Sequence, residues 1–238
     1  MSVESIQSAL DKLRDTAPVI VVENDFKMLF TSDAHKGIKD EADDFYRAGH
    51  ESLLTATRKE YRGRRYFLGA GGDEEDIWEN PDIAQIRKAY GNPTVDLLRI
   101  AGNHDATLSL PEAYRFQFSD GRYILWTHGH KGDWGCDAGS WLGRAFVRYV
   151  WAGIGQRILH LSDPTTARQE ANPKKHLAVR QATNEWASRQ DEKMIALIWG
   201  HSHFQEQAGR SFNDGSWIGP RGEAVELNGQ DVTLKTFT

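Results

Sequence analysis

The chain has 238 residues, 39% of them hydrophobic and 26% charged, with a net charge of −5. A chain of that size and composition buries about 70% of its unfolded surface, which excludes disorder, collagen and coiled coil, and its acidic balance disfavours nucleic acid as a partner. The single cysteine, Cys136, excludes an internal disulfide and points to a reducing, cytoplasmic compartment.

In chain order, MSVESIQSALDKLR reads as a short amphipathic helix; it lacks the basic stretch and continuous apolar run of a secretory signal. Apolar runs at Phe26–Ser32, Arg65–Leu68, Val95–Ala101, Tyr123–Thr127 and Met194–Trp199 predict buried strands. The longest, Met194–Trp199, is too short to span a bilayer. Glu41–Tyr61 and Pro81–Tyr90 have helical spacing, the second opening on a proline after Asn80. Strand alternating with helix predicts an α/β core. Residues 137–190 interrupt that alternation. Leu142, Phe146, Val150, Ile154 and Ile158 recur at steps of four, and after Asp163-Pro164 a second helical stretch runs from Lys174 to Arg189. This insertion is either a packed helical hairpin or a cap over a site, within a single domain spanning 1–238. Beyond Gly200, turn residues at Asn213-Asp214-Gly215 and Asn228-Gly229 predict an antiparallel ending.

Charge is uneven along the chain. Residues 131–190 hold nine Lys or Arg against five acids. Such a segment is either a solvated helix face or a seat for an anionic substrate.

The chemistry concentrates in five windows, each placed where a predicted strand ends: Ser32-Asp33-Ala34-His35, Gly72-Asp73-Glu74-Glu75-Asp76, Gly102-Asn103-His104-Asp105, His128-Gly129-His130 and Gly200-His201-Ser202-His203. Six of the nine histidines fall in them. Strand C-terminal ends are where open α/β sheets place their sites. Imidazole and carboxylate donors without thiolate suit Mn, Fe, Zn or Ni, and there are too many for one tetrahedral zinc, so two ions are implied. A dinuclear centre needs a shared anionic ligand, which a carboxylate such as Asp73 can provide; Asn103 adds a neutral amide oxygen.

In order, these windows match DxH, GDxxD, GNH(D/E), H and GHxH, and over most of its length the chain resembles the calcineurin-like metallophosphoesterase superfamily. The resemblance implies a β-sandwich flanked by helices. It also implies one ion held by Asp33, His35, Asp73 and His203 and a second held by Asp73, Asn103, His128 and His201, with Asp73 bridging. The stretches SDAHKG with a following ADDF, DIWEN, HGHKGD, FVRYVW and FNDGSW look like an uncharacterised bacterial branch of that superfamily. The insertion is similar in placement to the cap of the UDP-diacylglucosamine pyrophosphohydrolases of lipid A synthesis. This chain departs from them with His104 where they have Arg, and with HGH where they have HGD.

Two divalent ions and two ligand carboxylates leave the site formally dicationic, which attracts phosphate, and a water bridging the ions becomes the hydroxide for in-line attack. The expected activity is hydrolysis of a phosphomonoester or phosphodiester, with manganese as the leading metal and a small or amphipathic phosphorylated substrate. A pyrophosphohydrolase acting on a nucleotide-linked or lipid substrate and a non-catalytic metal-bound scaffold stay open. The superfamily's pattern puts His104 at the leaving group as general acid, held protonated and oriented by Asp105; the alternative is a hydrogen bond behind a ligand. Lys36 either reaches a phosphate or is solvated. His130 either touches substrate or bonds backbone. Arg144 and Arg148, one turn apart, need an anion between them or a solvated face. Asp76 is expected to support its loop or a ligand histidine rather than bind metal, and Glu74 and Glu75 to face solvent. Cys136 has no evident base partner, which argues against a cysteine-phosphatase mechanism.

Overall fold

The computed structural model describes residues 2–36, 45, 49–74, 97–105, 110–133, 136–137, 173–218 and 221–238. Helix α1 (Val3–Thr16) starts where the Ser2 hydroxyl accepts the Ser5 amide at 3.2 Å, a side-chain cap, and stops just before Pro18. Its buried residues, Ile6, Leu10 and Leu13, share one face by their spacing of four and three. Helix α2 (His50–Gly63) follows Gly49, whose φ of 73° suits glycine, and buries Leu54, Thr57 and Tyr61. Helix α3 spans Pro173–Ser188.

The strands are β1 (Val19–Val22), β2 (Lys27–Thr31), β3 (Phe67–Ala70), β4 (Leu97–Arg99), β5 (Ala113–Phe118), β6 (Tyr123–Thr127), β7 (Met194–Trp199), β8 (Glu206–Ala208), β9 (Ser211–Asn213), β10 (Gly222–Asn228) and β11 (Asp231–Phe237). They form two mixed sheets. One has the order β1-β5-β6-β7-β9-β8 and the other β11-β10-β2-β3-β4. The pairs β2–β3, β3–β4, β6–β7, β7–β9 and β1–β5 are parallel, whereas β5–β6, β8–β9, β10–β11 and β10–β2 are antiparallel.

The period of two along each strand decides which layer a side chain enters. Met28 and Phe30 of β2, Ile124 and Trp126 of β6, and Ala196 and Ile198 of β7 all join the core between the sheets. The intervening Leu125, Leu197 and Trp199 point the other way, against Ile6, Leu10 and Leu13 of α1 and Val179, Ala182 and Trp186 of α3. Leu29, Leu68 and Ala224 meet Tyr61 of α2 on the far face of the second sheet. The result is an α/β sandwich of two sheets with helices outside, as the sequence predicts. Trp126 and Trp199 are fully buried, one in the inner layer and one in an outer layer, and truncating either to alanine should cost about 3–5 kcal/mol.

All five predicted strands are present, and residues 174–188 of the predicted second helical stretch lie in α3. Strand β3 begins at Phe67 rather than Arg65, because Arg65 turns the chain off α2 with a φ of 63°. Strands β1 and β5 are additional and form one side of the larger sheet. The antiparallel ending holds for β8–β9 and β10–β11, while β9 also runs parallel to β7. The predicted helix Pro81–Tyr90, the beginning of Glu41–Tyr61, and the apolar stripe from Leu142 to Ile158 lie outside the described residues.

Candidate metal centre

Five loops converge at the C-terminal ends of β2, β3, β4, β6 and β7. The loops after β2 and β3 stay zipped beyond the ladder: the amides of Asp33, His35 and Lys36 donate to the carbonyls of Gly72, Asp73 and Glu74 at 3.1, 2.8 and 3.0 Å. The loop after β7 is tied to the loop after β6 through Gly200 N to His128 O at 3.1 Å.

Backbone strain marks the same loops. Among the described residues, six other than glycine have φ in the left-handed region: Asp33, His35, Arg65, Asp73, His201 and His203. Five of the six are proposed ligands. Left-handed backbone is costly for an L-residue with a Cβ, and such outliers cluster at functional sites because the fold over-determines them there. Three glycines let the backbone close in. A Cβ on Gly102 would meet Asp73 Oδ1 at 2.0 Å, one on Gly72 would meet Gly102 N at 2.7 Å, and one on Gly200 would meet Asp33 Oδ2 at 2.5 Å.

The side chains fall into sets of three whose donor atoms lie within 4.8 Å of one another: Asp33, His35 and His203; His35, Asp73 and His104; and Asp73, His128 and His201. Asp33 Oδ1 is 3.1 Å from His203 Nε2 and 3.7 Å from His35 Nε2; Asp73 Oδ2 is 3.2 Å from His128 Nε2 and 3.9 Å from His35 Nε2. Asn103 is buried in the same loop as His104. Asp33 and Asp73 are 0% and 1% exposed. Burial pushes both carboxyls up, yet both are held below the usual carboxylate range, Asp33 chiefly by His128 and His203 and Asp73 chiefly by His128 and His104. Conversely, burial lowers His128, but Asp73 and Asp33 overturn that and raise it to about 10.

His128 Nδ1 lies 2.9 Å from the Gly71 carbonyl, so Nδ1 is the protonated nitrogen and Nε2 is aimed at Asp73. A lone pair facing a carboxylate oxygen at 3.2 Å needs a positive charge between them, which either a proton or a metal ion satisfies. His128 Nε2 and Asp33 Oδ1 are both buried without a hydrogen-bond partner. Oxygen and nitrogen donors in this density, with no sulfur among them, fit a pair of divalent ions.

His104 is 5% exposed; its amide donates to Asp73 Oδ1 at 2.8 Å and its ring meets the His35 ring edge-on at 4.6 Å. Asp105 accepts the Gly102 amide at 2.6 Å, and burial with the nearby Asp73 charge pushes its carboxyl up to about 6. His130 is buried beside His128, ring centroids 5.4 Å apart, and burial keeps its imidazole neutral. Lys36 pairs with Glu74. Glu74 is itself a correction, because it is 2% exposed rather than solvent-facing: Arg58 binds both its oxygens at 2.8 Å, and with Lys36 holds it well below the usual range despite burial. Glu75, Asp76, Arg144 and Arg148 lie outside the described residues.

Sequence reasoning passed over two buried acids. Asp133, within the HGHKGD stretch, has Oδ2 3.7 Å from His201 Nε2. Asp214, read only as a turn residue, lies behind Asp33 with Ser32 between them; the Ser32 hydroxyl contacts Asp33 Oδ2 and, at 2.6 Å, Asp214 Oδ1. One hydroxyl hydrogen cannot serve two carboxylates. Burial and the Asp33 charge push Asp214 well above the usual carboxylate range.

The sequence matches no family model and no curated protein. Solved structures resemble the fold at low identity. A structure assigned provisionally as a diadenosine tetraphosphatase gives a TM-score of 0.44 at 15% identity, over 93% of this chain and 99% of that one. A dimetal phosphatase from Danio rerio gives 0.43 at 14% identity, over 90% and 99%. A cold-active protein-tyrosine phosphatase of a psychrophilic Shewanella gives 0.36 at 13% identity, over 93% and 83%. Likeness at that level carries no weight for activity, which has to be argued from the site.

Proposed function

We propose that the chain is a dinuclear-metal-dependent phosphohydrolase that cleaves a phosphomonoester or phosphodiester. One observation carries this reading: two fully buried carboxylates, Asp33 and Asp73, are faced by imidazole nitrogens at 3.1–3.9 Å. Such anions are expensive to bury without a cation between them and their neighbours. Asp33, His35, Asp73 and His203 would hold one ion, and Asp73, Asn103, His128 and His201 the other, with Asp73 shared. Manganese is the expected metal, and iron, zinc or nickel fit the same donors. When bound, the pair supplies a cationic seat for a phosphoryl group and an attacking water acidic enough to react at neutral pH.

His104 gives a proton to the leaving oxygen. Its amide bond to Asp73 ties the acid to the bridging carboxylate, so the two keep one geometry. Asp105, whose Oδ1 takes the Gly102 amide, has its buried Oδ2 left to orient that imidazole. His130 borders the reacting centre, and Lys36, steadied by Glu74, borders its mouth. Arg144 and Arg148, in the insertion at 137–190 of this single domain, meet the anionic part of a small or amphipathic substrate, while the α3 part of that insertion packs with α1 on the outer face of the larger sheet. No helix among the described residues is long and apolar enough to cross a membrane, and the lone cysteine suits a cytoplasmic setting.

The test is hydrolysis of an aryl phosphate, an aryl phosphodiester and a nucleotide-linked pyrophosphate by metal-stripped protein before and after manganese is added. Manganese should switch on at least one of them, and Asp73→Asn should bind less metal by elemental analysis and lose turnover. Two ions per chain without turnover of any substrate would favour the scaffold reading. Undiminished metal content in Asp73→Asn would remove the bridging role.

A further inference from the structure

One group of donors includes two residues, Asp133 and Cys136, that belong to neither proposed ion, and one, His201, that the second ion would also use. Asp133, Cys136 and His201 place a carboxylate oxygen, a sulfur and an imidazole nitrogen within 4.8 Å of one another. We propose that these three residues form a separate site for a thiophilic divalent cation, zinc or cadmium, and that filling it withdraws His201 from Asp73 and inhibits the enzyme. The inhibitory half rests on the proposed function, whereas the site itself does not.

Backbone hydrogen bonds tie the two loop donors to each other and to His130. Cys136 and Asp137 amides donate to the Asp133 carbonyl at 2.9 and 2.7 Å, and the Asp133 amide donates to His130 O at 3.2 Å. Asp137 in turn accepts Lys131 Nζ at 3.1 Å and the Gly132 amide at 3.3 Å. Gly132 packs against α1 so closely that a Cβ there would lie 2.7 Å from Ile6 Cα. Asp133 and Cys136, three residues apart in sequence, thus lie together beside His201 of the loop after β7.

Spacing and chemistry agree on the class of ion. Zinc bonds of about 2.0–2.2 Å at tetrahedral angles put an oxygen and a nitrogen ligand about 3.3–3.5 Å apart, and Asp133 Oδ2 stands 3.7 Å from His201 Nε2, a few tenths of an ångström from that separation. Sulfur adds little for manganese or magnesium but much for zinc and cadmium, so this set and the sulfur-free centre beside it prefer different metals. Cys136, 9% exposed, gives an arriving ion a path; its thiol proton goes to solvent as the thiolate binds.

Competition follows from the imidazole itself. A neutral ring offers one lone pair, because its other nitrogen bears the proton. If His201 gives that pair to an ion at Asp133, it has none for an ion at Asp73.

Cobalt is a spectroscopic stand-in for zinc, and thiolate ligation gives it a charge-transfer band in the near ultraviolet. Cys136 is the chain's one cysteine, so the band can be assigned without ambiguity. Metal-stripped protein titrated with cobalt should develop the band; Cys136→Ser should not, and Asp133→Asn should need at least about tenfold more cobalt. In parallel, excess zinc should inhibit manganese-supported hydrolysis of an aryl phosphate in the wild type. Cys136→Ser should keep its uninhibited rate yet need at least about tenfold more zinc for the same inhibition. Absence of the band in the wild type, or a band in Cys136→Ser, overturns the site. Equal zinc inhibition of both proteins overturns the inhibitory role. A band in a protein that hydrolyses nothing would uphold the site while the phosphohydrolase reading fell.

Discussion

Gly102 and Asp73 are in such close contact that a Cβ on the glycine would sit 2.0 Å from Asp73 Oδ1 and 2.4 Å from the Asp73 amide nitrogen. No real Cβ tolerates that, so Gly102→Ala must push the loop after β4 away from Asp73, the proposed bridging carboxylate. We expect a stability loss of about 1–3 kcal/mol together with loss of metal binding. Gly63→Ala, where nothing lies within 4 Å of the added Cβ, is the control and should be close to neutral. Urea unfolding and elemental analysis of the two variants check this; similar behaviour in both would remove the steric argument.

Removing the proposed acid should separate chemistry from metal binding. His104→Ala is expected to keep its metal content and lose roughly 10²–10⁴ in turnover, the usual contribution of a positioned acid. The loss should shrink as the leaving phenol becomes more acidic, since an acidic phenol departs without help. A uniform loss across a series of aryl phosphates would count against proton donation.

Two ion pairs offer a contrast in burial. Arg58 and Glu74 meet through two bonds of 2.8 Å, with side-chain exposures of 16% and 3%, whereas Arg122 and Asp120 are 48% and 38% exposed. Arg58→Met strips a buried carboxylate of its bidentate partner and should cost about 3–5 kcal/mol. Arg122→Met should cost about 1 kcal/mol or less, because water screens that pair. Comparable losses for the two in urea unfolding would show that the buried pair is not the stronger stabiliser.

Glu226 gives a pH signature away from the site. It is 7% exposed and takes Tyr66 Oη at 2.6 Å and Lys235 Nζ at 2.7 Å. Burial raises its carboxyl, but Lys235 and Tyr66 overcome that and hold it below its ordinary 4.5. The folded state therefore prefers the carboxylate, and its contribution is present above the unfolded value and fades as pH falls through the folded one. Glu226→Gln should lose about 1–3 kcal/mol near neutral pH, with the gap to wild type closing in acid. A gap that widened on acidification would reverse the assigned sign.

What the sequence disclosed followed from local chemistry. Runs such as MIALIW and YILWT are apolar on both faces, and they became the strands buried between the sandwich core and the helices. The five polar windows were legible because each sits directly beyond such a run. Strand β5, AYRFQF, was not, since Arg115 and Gln117 break the apolar run even though Ala113, Phe116 and Phe118 are buried. Glu74 looks solvent-facing in the sequence because its partners come from elsewhere: Arg58 from α2 and Lys36 from the loop after β2. Asp214 was hidden for a related reason. Its role depends on Ser32, 182 residues earlier in the chain.

The division of labour between the two sheets reaches beyond catalysis. Both carboxylates of the proposed centre follow strands of the five-stranded sheet, while His128, His201 and His203 follow strands of the other. Neither sheet alone has the full proposed coordination set, so an ion captured from solution would act as a rivet between them. Loading should raise resistance to unfolding in proportion to the free metal available, and chelation should loosen the seam between the sheets before either sheet frays. A nascent chain would remain indifferent to metal until its last sheet-forming segments had docked, which makes ion capture a checkpoint on completed folding.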